Sequence, residues 1–357
     1  MTLLFLFGFV ACTTRPIKPT PEEAQLLEQF SSKMGPEYSA YRLVSGQLTL
    51  TVNDIQTLHS DDLRESNLKS GIPDSTAPSL RIWISGIMDY STQRMIEHSP
   101  IQYKPDSIFL DREYGNQILY WDLTPALDSD SIRISRSFRY LTYDYRPVVD
   151  GKLERNQWSK IPSEIVEKYT RPELFLEQDE ALVDTVFALL KDISDPVNQA
   201  QAIYDWVQKS LTYVYPPEAR GVRNALNTLE GDCGQYSALF ISMARIAGIP
   251  ARQQSGFNFR PGNTGAHVWS EVYLPVKGWV PVDATRKDGF LHLDNGRLIT
   301  SIGLNIPLVN VPEWASFTNS EVENDKTDFM QMFTLVSSGV KATYTSKRTV
   351  LRSVDFK

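Results

Sequence analysis

The chain has 357 residues, 41% hydrophobic and 22% charged, a balance ordinary for folded protein that excludes collagenous and coiled-coil classes and makes a fold rather than disorder the default. With 43 acidic against 36 basic residues and no long basic run, the net charge of −7 gives no reason to expect a nucleic-acid partner. Two cysteines, Cys12 and Cys233, are too few for a disulfide scaffold or a four-cysteine zinc site, and no cofactor is implied.

The apolar run before Ala11 (Leu3, Leu4, Phe5, Leu6, Phe7, Phe9 and Val10) is too short to cross a bilayer as a finished helix and reads as the core of a signal peptide. It ends Phe9-Val10-Ala11-Cys12, which resembles the lipobox of bacterial lipoproteins. That resemblance implies an acylated Cys12 and a lipid-anchored place in the bacterial cell envelope, facing the periplasm or the surface. It is incomplete, because no Lys or Arg precedes the run and Phe9 stands where leucine is usual. Residues 13–21 hold Pro16, Pro19 and Pro21, so residues 1–21 read as a leader plus a stiff tether.

From about Tyr41 to Tyr145 apolar residues recur with period two, as in Leu48, Leu50, Val52 and in Ile132, Ile134, Phe138, Tyr140. Leu80 to Ile84 and Gln117 to Leu123 lie between them, separated by turn-rich stretches, and residues 22–160 are expected to form an antiparallel β-sandwich of about seven strands. Asp128-Ser129-Asp130 lacks the glycine and distal glutamate of a calcium loop and is expected to be a solvated turn; no metal is expected.

After Pro147 the period lengthens. Leu182, Val186, Leu189, Leu190 and Ile193 share one helical face, and a second helix is expected to start from an Asp195 N-cap with Pro196 in its first turn. The class is therefore α+β, with residues 161–357 forming the second domain and ending in weaker strand-like stretches at Arg297 to Ile302 and Val340 to Val350.

Residues 231–250 read as one helix with defined ends. Tyr236, Leu239, Phe240, Met243 and Ile246 make its buried stripe, Gly248 suits a left-handed C-terminal position, and Pro250 prevents continuation. Cys233 then stands at the helix N-terminus, where unpaired N–H groups shift a thiol toward thiolate, and Gly231 and Gly234 allow close approach to the sulfur. Downstream, His267 opens a strand that turns at Pro275 to Gly278 into Trp279-Val280-Pro281-Val282-Asp283. A thiolate needs a base and the base an orienting acceptor, roles open to His267 and Asp283 if the hairpin register puts both on one face. A loop of five residues, or a bulge, does so; a four-residue loop pairing Leu274 with Trp279 sends them to opposite faces. His292 alternates with leucines and is expected to be an exposed strand residue.

The order Cys233, His267, Asp283, spaced by 34 and 16 residues, resembles the transglutaminase-like superfamily of papain-type thiol enzymes. So do the words Asn227-Thr228-Leu229-Glu230-Gly231-Asp232-Cys233, Ala247-Gly248-Ile249-Pro250, His267-Val268-Trp269-Ser270-Glu271 and Gly278-Trp279-Val280-Pro281-Val282-Asp283. The resemblance implies a helix carrying Cys233 against an antiparallel sheet, with Cys233 as nucleophile, His267 as general base and acid, and Asp283 as the group that orients the imidazole. It implies an oxyanion site from the Cys233 N–H and an upstream aromatic, Tyr213 or, as second choice, Tyr215. It is compatible with an immunoglobulin-like fold for the preceding β domain. Trp269 and Trp279 are candidates to line the substrate cleft or to pack the hairpin against the helix. The implied activity is cleavage of amide bonds through a thioester, with hydrolysis favoured over transfer to an amine, on polypeptide or peptidoglycan-peptide substrates and as a monomer. A non-catalytic peptide-binding module of the same fold is the rival.

Overall fold

The computed structural model describes residues 17–69, 73, 76–149, 158–315 and 325–356; Cys12 and the leader lie outside the described residues. The first described element is a helix, Pro21–Ser31, where residues from 22 onward were expected to belong to a β-sandwich. Its signal was present: Thr20 and Glu23 form a reciprocal capping box, and Pro21 occupies the first turn, where a missing N–H costs nothing.

The period-two segments become β1 (Tyr38–Thr57), β2 (Ser79–Ser85), β3 (Gln93–His98), β4 (Ser107–Leu110), β5 (Gln117–Asp122) and β6 (Ser131–Tyr145). Val44, Leu48, Leu50 and Val52 of β1 and Ile132, Ile134, Phe138 and Tyr140 of β6 share one buried cluster with Leu80, Ile82, Leu119 and Trp121 of β2 and β5. The opposite side of β1 and β6 presents Tyr41, Leu43, Leu141 and Tyr143 to Leu27 of the first helix. Asp128 to Asp130 lie exposed in the turn before β6.

The second half opens with helices Ser163–Tyr169, Glu180–Leu190 and Pro196–Ser210. The Asp195 N-cap is found as expected, its carboxylate accepting from the Asn198 N–H at 2.9 Å. Next come β7 (Thr212–Tyr213), the helix Val222–Thr228, β8 (Glu230–Gly231) and the helix Cys233–Ile246. That last helix ends at Ala247, and Gly248 takes φ +77° as its position predicts. Beyond its predicted stripe it is buried on all sides from Gln235 to Arg245.

It packs on a sheet of order β11-β10-β9-β12, built from β9 (Ala251–Asn258), β10 (Ala266–Leu274), β11 (Gly278–Val282) and β12 (Arg297–Ile302). After a short pair, β13 (Ile306–Pro307) and β14 (Lys326–Thr327), the chain returns to the first half as β15 (Phe333–Ser338) and β16 (Val340–Phe356). β15 pairs with β2 and β16 with β1, giving antiparallel sheets of order β15-β2-β5-β4 and β16-β1-β6-β3. The two halves also interlock through side chains: Phe257, Phe259 and Leu298 enter the apolar cluster of the first half. Gly46 makes room for one of them, since a Cβ there would lie 2.4 Å from the Phe259 ring.

Candidate active site

The hairpin register settles which face each residue takes. Leu274 pairs with Gly278 and Ser270 with Val282, so the loop is three residues long and odd positions of β10 and β11 share a face. Val276 and Gly278 take positive φ to close it. Extended to the strand start, this register places Asp283 across from Trp269, diagonal to His267. The imidazole spans that step, with His267 Nε2 2.9 Å from Asp283 Oδ2.

Asp283 is almost fully buried, at 1% exposure. Burial raises its pKa, but the hydrogen bond and charge of His267, the Arg297 guanidinium and the Thr285 hydroxyl outweigh that and hold it at about 2. Arg297 Nη2 donates to Asp283 Oδ2 at 2.8 Å and Thr285 Oγ1 to Oδ1 at 2.6 Å. An ionised Asp283 accepts only, so His267 carries its proton on Nε2, and Nδ1 has no protein partner among the described residues. Gly289 is required beside this carboxylate, because a Cβ there would lie 2.1 Å from the Asp283 carbonyl oxygen.

Cys233 is the first residue of its helix, whose N-cap Asp232 accepts from the Gly234 N–H at 2.8 Å. The Val268 N–H, next to His267, reaches the sulfur, and the Tyr213 hydroxyl interacts with both the Cys233 N–H and its thiol. Parallel pairing of β7 with β8 sets Tyr213 opposite Gly231, which brings this tyrosine to the helix start. Tyr213 and His267 line one cavity of about 560 Å³, together with Tyr236, Asn258, Thr285 and four charged side chains. A larger depression, about 880 Å³, lies between β4 and the helix Ser163–Tyr169 and is lined by neither cysteine nor histidine.

Residues 184–284 match the sequence profile of the transglutaminase-like superfamily. The chain carries a transglutaminase-like core. The described structure resembles that of a candidate cysteine protease from Cytophaga hutchinsonii (TM-score 0.56, 15% identity), over 89% of this chain and 95% of the other, a likeness of fold. An uncharacterized protein of Haemophilus influenzae is 28% identical over 172 residues, 40% of this chain and 47% of that protein. A protein-glutamine gamma-glutamyltransferase of Pseudomonas aeruginosa is 31% identical over 87 residues, 20% of this chain and 13% of its own. The chain thus spans about half or less of the length of these curated relatives.

Within the transglutaminase-like core several expectations need correction. The helix N-terminus predicts a thiol shifted toward thiolate, yet burial, followed by the Asp232 carboxylate, pushes the Cys233 thiol up to about 11 against the opposing Val268 N–H. Asp232 is itself buried and paired with Arg220 at 2.9 Å, a carboxylate beside the sulfur that sequence reasoning treated only as part of a motif. Gly231 is needed for packing, since a Cβ there would lie 2.4 Å from Gln235 Cβ. Trp269 does not line the cavity: at 1% exposure its ring stacks on His267 at 5.8 Å and its indole donates to Gln254, so it backs the imidazole from inside. Trp279 lies further along, stacked under Arg252 at 3.9 Å and against Tyr169. Tyr215, the second oxyanion choice, is 75% exposed.

His292 is buried, not exposed. Its ring bonds Asp144 at 3.1 Å and the Asp288 carbonyl at 2.8 Å, which ties the segment after Asp283 to β6. Alternation with leucines gave its period, but the carboxylate from 148 residues away that makes burial tolerable is invisible locally. Arg297 was also missed, although it opens a strand whose span the sequence gives correctly.

Proposed function

We propose that this protein is a cysteine hydrolase of amide or peptide bonds acting through a Cys233 thioester, held in the bacterial cell envelope by a lipid on Cys12. The observation that carries the reading is the 2.9 Å bond from His267 to Asp283, made in the cavity that Tyr213 joins to Cys233. With Nε2–H committed to the carboxylate, Nδ1 is the basic atom of the ring. The thiol holds its proton at rest, so proton transfer to His267 accompanies attack on the carbonyl carbon. The Cys233 N–H and the Tyr213 hydroxyl are two donors for the resulting oxyanion. Collapse expels the amine, which takes the proton from His267, and leaves a thioester. Water then attacks it, with His267 again as base, and frees the acid and the thiol.

A cavity lined largely by polar side chains admits water, which favours hydrolysis. Transfer to an amine uses the same residues and is the second reading, supported by the name of the Pseudomonas relative. Polypeptides or peptidoglycan peptides are the substrates proposed for a monomer in this compartment, with the two β-sheets of the first half as an immunoglobulin-like companion.

Iodoacetamide at about pH 8, followed by intact mass, tests the nucleophile. Cys233 is expected to react in the native protein, and the rate to fall roughly 100-fold or more in His267→Ala. A thiol that reacts only after denaturation would leave a peptide-binding module instead. Incubation with casein and a fluorescent primary amine then separates cleavage from amine incorporation.

A further inference from the structure

The cavity beside Cys233 and His267 is lined by three guanidinium groups, Arg260, Arg286 and Arg297, against one carboxylate, Asp294. In a chain of net charge −7 that is a local reversal of sign. The three arginines are not equivalent. Arg297 is buried, its side chain 3% exposed, and engaged with Asp283. Arg260 and Arg286 keep side-chain exposures of 39% and 43%.

Asp294 is already shared among all three, at 2.5 Å from Arg260, 3.5 Å from Arg286 and 3.6 Å from Arg297, and it does not neutralise the set. Arg260 uses Nη2 on Asp294 and Asn295, while Arg286 uses Nη1 on Asp294 and Nε on Asp288. Arg260 Nε and Nη1 and Arg286 Nη2 have no protein partner among the described residues. The Arg260 fork is also held in place: a Cβ on Gly296 would lie 1.9 Å from its Nε, so only glycine leaves room for the guanidinium against that backbone. Asn258 and Asn263 add amide groups to the same wall.

We infer that Arg260 and Arg286 form a carboxylate-binding subsite, selecting acyl substrates that carry a carboxylate next to the amide bond attacked by Cys233. Paired, pre-oriented guanidinium forks suit the planar two-oxygen geometry of a carboxylate, and fixing them before binding reduces the entropy lost on capture. The inference rests on Cys233 being the nucleophile proposed above, and it names the chemistry that nucleophile meets.

Iodoacetate and iodoacetamide test it on one sulfur. In each, the thiolate forms an S–C bond to the methylene as iodide leaves, and the reagents differ only in carboxylate against carboxamide. The iodoacetate to iodoacetamide rate ratio at Cys233 is expected to exceed that of glutathione about tenfold. It should fall toward the glutathione ratio in Arg260→Gln/Arg286→Gln, and part-way in Arg286→Gln alone, which keeps the Arg260 to Asp294 bond. A ratio equal to that of glutathione, or a raised ratio unmoved by both substitutions, overturns the subsite. Inertness of native Cys233 to both reagents overturns the proposed function and the subsite with it. Protection by N-acetyl peptides locates the carboxylate. A free C-terminal acid or an internal glutamate should slow alkylation, the amidated glutamine analogue should not, and equal protection by all three counts against the subsite.

Discussion

The two faces of the β9 to β12 sheet are built from the same strands and are both largely buried, yet they are held in opposite ways. Even positions of β10 and β11, Val272, Leu274, Val280 and Val282, join the apolar cluster of the helices, including Leu239, Phe240 and Met243 of the cysteine helix. Odd positions carry polar groups in sequence: His267 bonded to Asp283, then Trp269 to Gln254, then Glu271 to Arg252 at 3.0 Å and to Tyr90 at 2.7 Å. One face is held by area removed from water, the other largely by polar groups paired with one another. The residues proposed to act lie on the second, where charges that are already paired and fixed need no reorganisation when a proton moves.

The sharpest way to break that contrast is to remove one member of a buried pair. Glu271→Ala leaves Arg252 charged inside the protein and is expected to cost about 3–5 kcal/mol in urea unfolding, more than truncating the exposed Lys277 in the turn after β10.

A second test uses acid. Asp283 titrates at about 2 when folded and near 3.8 when unfolded, so the unfolded chain binds the proton first as pH falls. Its contribution, roughly 2 kcal/mol, is complete above about pH 5 and is lost as pH drops through 3.8 toward 2. The urea midpoint should therefore decline less steeply over that window in Asp283→Asn than in the native protein.

The smallest effect probes a polar bridge on the even face, where the Ser237 and Ser270 hydroxyls lie 2.9 Å apart. Ser270→Ala should cost about 1 kcal/mol, and adding Ser237→Ala should cost little more, because the second change removes a hydroxyl already deprived of its partner. Additive losses in the double-mutant cycle would mean the two hydroxyls are not coupled.

What could be read from the sequence follows from range. The cysteine helix was legible because Gly248 and Pro250 mark its end and its apolar stripe fills the middle, whereas the Asp232 N-cap that starts it was not read as one. His267 and Asp283 were legible as types in an order, but their contact hung on a loop length, and the structure closes the turn with three residues where five or a bulge were weighed. Periodicity tells a residue's face and not its partner. For that reason Tyr90 on Glu271, Arg297 on Asp283 and Asp144 on His292 were out of reach, being separated from those partners by 181, 14 and 148 residues. The polar stretch 340–350 read as weak for a related cause. β16 is long and half-exposed, and its strand character comes from pairing with β1, so little apolar alternation is needed.

That pairing has a consequence for how the chain reaches its folded state. Until β16 and β15 have been synthesised, β1 and β2 each present an unpaired row of N–H and C=O groups, the template on which strands of other chains add. The contiguous segment from the helix Glu180–Leu190 to β12 closes its own sheet without waiting for β15 and β16. The half that carries Cys233 is thus free to fold while the half that precedes it on the ribosome stays open, and β15 and β16 then act as the seal on the first strands.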